Sequence, residues 1–179
     1  DQHRPELLFE AARKKGALVG IAHPFSYGDP FARGCRFEMT VTDYSKVDFI
    51  EIFNNPESLH EVNERGTNLW MSLIFSGYKI TATSGMDLHN RAKLAGCYAT
   101  YIEGKNGGDI ASELDTAIHT HRTWISKGAL LLTKVLPETN ELLLTFTDVH
   151  KTGFSVPETA QVVLKGKDKM FTTTVSLDK

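Results

Sequence analysis

In the stretch TATSGMDLHN, residues 81–90, a run of small residues ends in Asp87 and His89, at i and i+2. Side chains at that spacing on extended backbone point the same way. A carboxylate and an imidazole directed into one cavity can hold a metal, form a catalytic pair, or hydrogen-bond each other. Two more polar sites share the setting of an apolar run that ends abruptly. His23 precedes Pro24 at the end of ALVGIAHP, and Glu51 lies inside VDFIEIFNN, which runs out at Asn54 and Asn55. A histidine before proline can cap a strand end and do no more. Glu51 must face water, a cation or a cavity, because burying a carboxylate unpaired costs several kcal/mol. Together, histidine and aspartate make a mixed nitrogen and oxygen set suited to zinc, manganese or iron.

The elements that would position these groups alternate. PELLFEAARKKG reads as a helix: Pro5 suits its first turn, Lys14 and Lys15 suit its end, and Gly16 suits the residue after it. Leu7, Leu8, Ala11 and Ala12 are expected to form its apolar face. ALVGIAHP follows as a nearly continuous apolar run, the pattern of a strand buried on both faces. Residues 26–45 read as a long loop, able to wall a pocket. VDFIEIFNN is the second strand, and PESLHEVNERGTNLWMSLIFSGYK is mostly helix, closed by Gly77. KITATSG and AGCYATYIEG are the third and fourth strands. GGDIASELDTAIHTHR is a helix capped by Asp109, with Ile110, Leu114, Ala117 and Ile118 as its expected buried stripe.

This alternation predicts an α/β fold with a parallel sheet or (β/α) barrel over residues 1–128. In such folds chemistry gathers at the C-terminal ends of strands, and His23, the Glu51–Asn54 segment and Asp87–His89 all fall there. Residues 129–179 change pattern. ALLLTKVLP, ELLLTFTDVH, AQVVLKGKD and MFTTTVSLD are short alternating strands, read as a small antiparallel β appendage. Of the other histidines, His60 and His119 fall on helices, His121 at a helix end, His150 in the appendage and His3 at the terminus; none is expected to be catalytic.

Composition narrows the class. The 179 residues suffice for one good core plus a small appendage. A net charge of −2 gives no reason to invoke nucleic acid or an acidic membrane surface. No apolar run approaches the roughly 20 residues that span a bilayer. Cys35 and Cys97 are too few for a disulfide framework, and Cys35 is expected to be a thiol. The compartment is unassigned: soluble, and either cytoplasmic or exported with a signal upstream.

The order of motifs resembles the PHP-domain metallohydrolases, in the branch that includes the CehA/McbA-like proteins. The resemblance runs over roughly residues 5–135 and is carried by KKGALVGIAHPF, VDFIEIFNN, LWMSLIFSGYKITATSGMDLHN and AIHTHRTWISKGALLL. The segment Gly85-Met86-Asp87-Leu88-His89 is similar to the family's Gly-Ser-Asp-x-His, with Met86 where serine is common. The resemblance implies that His23, Asp87 and His89 are metal ligands and that Glu51 and Asn54 line the pocket without being ligands. It implies a distorted (β/α)7 barrel whose complete site holds two or three divalent ions (zinc, manganese or iron). The implied reaction is hydrolysis of phosphate esters, or of carbamate or amide-like bonds, in a small-molecule substrate. Arg33 and Arg36, in the 26–45 loop, are candidate anion contacts. The family's opening His-x-His and Thr-Asp-His motifs do not occur here, so the chain reads as the C-terminal part of such a protein, inactive or nearly so alone. It would complete its site with the missing N-terminal half of the barrel, or self-associate. The alternative is a non-catalytic, truncated PHP module acting in binding or assembly.

Overall fold

A computed structural model describes residues 4–26, 32–33, 36–54, 61–87, 97–105, 107–147 and 158–176. The chain divides into two compact units, Asp1–Lys127 and Gly128–Lys179. The first contains α1 (Pro5–Arg13), β1 (Gly20–Ile21), β2 (Ala32–Arg33), β3 (Arg36–Phe37), β4 (Phe49–Phe53), α2 (Glu61–Phe75), β5 (Thr81–Ser84), β6 (Ala99–Ile102), α3 (Ile110–His119) and β7 (Thr123–Ser126). The fold is mixed α/β, with one parallel sheet and several small antiparallel ones. Among the described residues the parallel sheet has three strands and does not close into a barrel. No helix among them is long and apolar enough to cross a membrane.

The parallel sheet has the order β1-β4-β5, with Ile21 opposite Ile50 and Glu51 opposite Thr83. Its central strand, FIEIF, alternates. Ile50 and Ile52 are buried, whereas Phe49, Glu51 and Phe53 are half-buried on the other side. The run thus serves one fully buried face, and the other face carries the carboxylate. Ile50 and Ile52 join Phe9, Val19, Ile21, Val47, Leu73 and Ile80 in the core. Helix α2 comes close to β4 at Gly66, where an added Cβ would lie 3.3 Å from the Ile52 carbonyl oxygen. An irregularity between Glu51 and Phe53 shifts the β4–β5 register at the end of the strand.

Local signals are met where they depend on local geometry. Pro5 opens α1. The Asp109 side chain accepts from Ala111 N–H at the start of α3. Gly16 and Gly77 take left-handed backbone, φ +74° and +98°, after α1 and α2. The faces chosen for two helices need correction. In α1 the buried residues are Pro5 and Phe9, while Leu7 and Leu8 are exposed. In α3, Ala117 and Ile118 are buried but Ile110 and Leu114 are exposed, because only the last turn lies against the sheet.

The fourth strand also needs correction. β6 is not parallel to the others; it pairs antiparallel with β7, Thr100 opposite Ile125. The segment TWIS therefore belongs to the first unit as a strand. Side chains link this pair to β5: Ser84 N–H donates to Thr100 Oγ1 at 2.8 Å, and the Thr123 hydroxyl donates to the Ala82 carbonyl at 2.9 Å. Within the 26–45 segment, β2 and β3 form a two-residue antiparallel pair.

The second unit contains two hairpins, β8 (Leu130–Leu136) with β9 (Glu141–Thr147), and β10 (Thr159–Lys165) with β11 (Met170–Ser176). Both are antiparallel, as the short connections between the paired strands require. The first turns through Asn140, φ +56°, a residue type that tolerates left-handed backbone.

Candidate functional site

Three polar side chains from separate segments meet at the C-terminal edge of the parallel sheet. His23 follows β1 by two residues, Glu51 lies on β4, and Asp87 follows β5 by three. Parallel pairing is what gathers them, because it places all three strand ends on one side. His23 Nδ1–H donates to Glu51 Oε1 at 3.0 Å. On the other side of the same ring, Nε2 lies 3.8 Å from Asp87 Oδ2. The first contact is a hydrogen bond; the second is too long to be one.

The backbone around this edge is held in an uncommon conformation. His23 has φ +27° and Asp87 φ +48°. Non-glycine residues in that region cost on the order of 1–3 kcal/mol and concentrate at functional sites. Gly85 fits the site by its lack of a side chain. A Cβ there would lie 2.4 Å from Glu51 Oε2 and 2.7 Å from its Cδ. The Glu51 carboxylate therefore fills the space that any other residue at 85 would occupy.

The electrostatics follow from this packing. The hydrogen bond to Glu51 raises the His23 pKa above the ordinary imidazole value. Burial opposes that shift, and the negative charges of Glu51 and Asp87 add to it. In the neutral ring the proton sits on Nδ1, facing Glu51, which leaves the Nε2 lone pair on the side of Asp87.

The donor set fits a divalent cation. Zinc bonds to imidazole nitrogen and carboxylate oxygen are about 2.0–2.2 Å, so one ion can touch both atoms when they are less than about 4.2 Å apart. The His23–Asp87 separation of 3.8 Å meets that limit. Glu51 stands where a ligand histidine commonly has an outer carboxylate that orients it. Among the described residues no three His, Cys, Asp or Glu side chains form a metal-holding group. The reason is visible for these three: the imidazole separates Glu51 from Asp87.

His89 and the Arg33 side chain lie outside the described residues, as do His3, Cys35, His60 and His150. Arg36 is exposed on β3. Asn54 is buried, and its N–H donates to Asn63 Oδ1 at 3.1 Å, which ties the end of β4 to α2. His119 contacts Asp115 on the exposed side of α3. The Nδ1 contact of Glu51 and the role of Gly85 were not readable from the sequence; a carboxylate inside FIEIF was the available signal.

No family model, no curated protein and no solved structure matches the chain.

Proposed function

We propose that the chain carries part of the metal site of a PHP-type hydrolase, with His23, Asp87 and His89 as ligands and Glu51 as the group that orients His23. On this reading residues 1–128 are the C-terminal portion of a distorted (β/α)7 barrel. The substrate is a phosphate ester or a carbamate or amide-like compound. The observation that carries the proposal is the two-sided contact of one imidazole, Glu51 on Nδ1 at 3.0 Å and Asp87 beside Nε2 at 3.8 Å. A divalent cation, when bound, supplies Lewis acidity toward water and toward a phosphoryl or acyl oxygen. The chain's own residues do the rest. Glu51 holds the His23 proton on Nδ1 and fixes the ring plane. Asp87 brings a negative charge to the Nε2 side, on a segment whose conformation is set by Gly85 and the end of β5.

Metal binding tests this reading. Residues 1–179 are titrated with zinc, manganese and iron, beside His23→Ala, Asp87→Ala and His89→Ala. Two imidazoles and one carboxylate fix at most one ion, so the expected stoichiometry does not exceed one. Each substitution is expected to weaken binding at least about 10-fold, the size of loss seen even when only an outer partner is removed. Equal binding by the wild type and all three variants refutes the ligand assignment. Hydrolysis is then followed on a phosphomonoester, a phosphodiester and a carbamate, with these residues and with any longer chain that contains them. Metal held by the three ligands without turnover in either chain selects the non-catalytic binding module instead.

A further inference from the structure

Helices α1, α2 and α3 end with the same pair of hydrogen bonds. After α1, Ala17 N–H bonds the Ala12 carbonyl at 3.1 Å and Gly16 N–H that of Arg13 at 2.9 Å. After α2, Tyr78 bonds Leu73 at 3.1 Å and Gly77 bonds Ile74 at 3.0 Å. After α3, Arg122 bonds Ala117 at 2.9 Å and His121 bonds Ile118 at 3.3 Å. This closure needs one residue in left-handed backbone, a position that glycine fills without steric cost. Gly16 and Gly77 fill it in two cases; in the third His121 does, at φ +57°. A side chain there costs on the order of 1 kcal/mol. The turn by itself favours glycine, so it does not account for the histidine.

The imidazole is held in one orientation. The buried Thr81 hydroxyl donates to the Ile118 carbonyl at 2.6 Å. Its single proton is thereby used, so its 2.8 Å contact with His121 Nδ1 is one in which Nδ1–H donates. In the neutral ring the lone pair is then on Nε2, which has no hydrogen-bond partner among the described residues. His121 lines a cleft of about 310 Å³ whose other walls are mostly apolar, with Ile52, Trp70, Ile80 and Ile125. The polar protons of those walls are already engaged. Trp70 Nε1–H donates to the Ile80 carbonyl at 2.9 Å, and the Thr123 hydroxyl donates to Ala82. The lining of the cleft supplies apolar surface, the Trp70 indole and the ring of His121, an exposed residue. Small-molecule sites have this make-up, and this volume is at the low end of their range, ample for a single aromatic ring.

We propose that this cleft binds a small, flat, mostly apolar molecule with one hydrogen-bond donor, of the phenol class, whose O–H donates to His121 Nε2. The site uses none of the groups assigned to metal, so it stands or falls apart from the hydrolase reading.

The probes are phenol and toluene, which share a ring and differ by the donor. Each is titrated into residues 1–179 while the Trp70 indole N–H resonance is followed by NMR. Phenol is expected to give a saturable shift at millimolar concentration. Toluene is expected to bind about 10-fold more weakly, the worth of one hydrogen bond. In His121→Phe the ring shape persists without the acceptor, and the preference for phenol is expected to vanish. Filling the cleft with Ile125→Trp is expected to abolish the binding of both. The wild-type comparison needs no variant to fold. The proposal is overturned by equal binding of phenol and toluene to the wild type. It is also overturned by an absent phenol shift up to the solubility limit, or by His121→Phe retaining the preference.

Discussion

Replacing Gly85 with alanine separates the geometry of the His23 site from the stability of the fold. Gly85 does not have positive φ, so alanine meets no backbone penalty there. Its Cβ would lie 2.4 Å from Glu51 Oε2, where ordinary contact begins at 3.4 Å. The carboxylate must therefore move by 3.4 − 2.4, or about 1 Å, and it sits at the end of a flexible side chain that can do so. A shift of that size is enough to break the 3.0 Å bond to His23. Hydrogen bonds to charged groups are worth about 1.5–3 kcal/mol when shielded, and less with partial exposure. We therefore expect a loss of about 1 kcal/mol, a fall in Tm of about 3 °C.

The sign with pH is specific. Glu51 raises the folded pKa of His23. Its contribution is thus full below the unfolded value of about 6.5 and fades as pH rises through the raised folded value. The deficit of Gly85→Ala should be larger at pH 5.5 than at pH 9. The His23 ring, titrated by NMR in metal-free protein, should move back toward about 6.5. Glu51→Gln, which keeps an acceptor and loses the charge, should lower the titration point while costing little stability at pH 9. An unchanged His23 titration in Gly85→Ala, or a deficit independent of pH, refutes the reasoning and leaves only overpacking.

Two further outcomes test how the first unit is tied together. Glu6 accepts from Thr42 N–H at 2.6 Å and from the Thr42 hydroxyl at 2.9 Å, and these bonds, the backbone one foremost, lower its pKa to about 2. A depressed folded pKa gives stability that is present above the unfolded value and lost as pH falls through the folded one. The stability difference between wild type and Glu6→Gln should therefore shrink between about pH 5 and pH 2, as read by urea unfolding; a difference flat with pH would contradict this. Asp48 joins Arg13 at 2.6 Å and accepts from Val19 N–H at 2.8 Å. Asp48→Ala leaves that buried N–H without its partner and should cost about 1–3 kcal/mol in the same assay; a cost below about 0.5 kcal/mol would show that water replaces the carboxylate.

What the sequence determined by itself is what depends on neighbours in the chain. Pro5 begins a helix because its missing N–H costs nothing in the first turn, and Asp109 caps one because its carboxylate reaches the Ala111 N–H. Gly16 and Gly77 end helices because the turn needs left-handed backbone. The strands carrying Gly20–Ile21, Glu51 and Thr81–Ser84 were legible as apolar runs, and their alternation with helices implied the parallel pairing that brings His23 and Asp87 to one edge. Tertiary structure alone decided which nitrogen of His23 faces Glu51, since the ring's two sides are equivalent in a sequence. It decided that Gly85 makes room for that carboxylate, a contact across 34 positions of chain. It decided that α1 buries Phe9 while Leu7 and Leu8 stay exposed, because a helix with apolar residues on more than one side is oriented by what packs against it. TWIS pairs antiparallel with β6 for the same kind of reason: strand direction is fixed by partners, and a four-residue run does not encode them. His121 read only as a histidine at a helix end, and the fold sets it against Thr81.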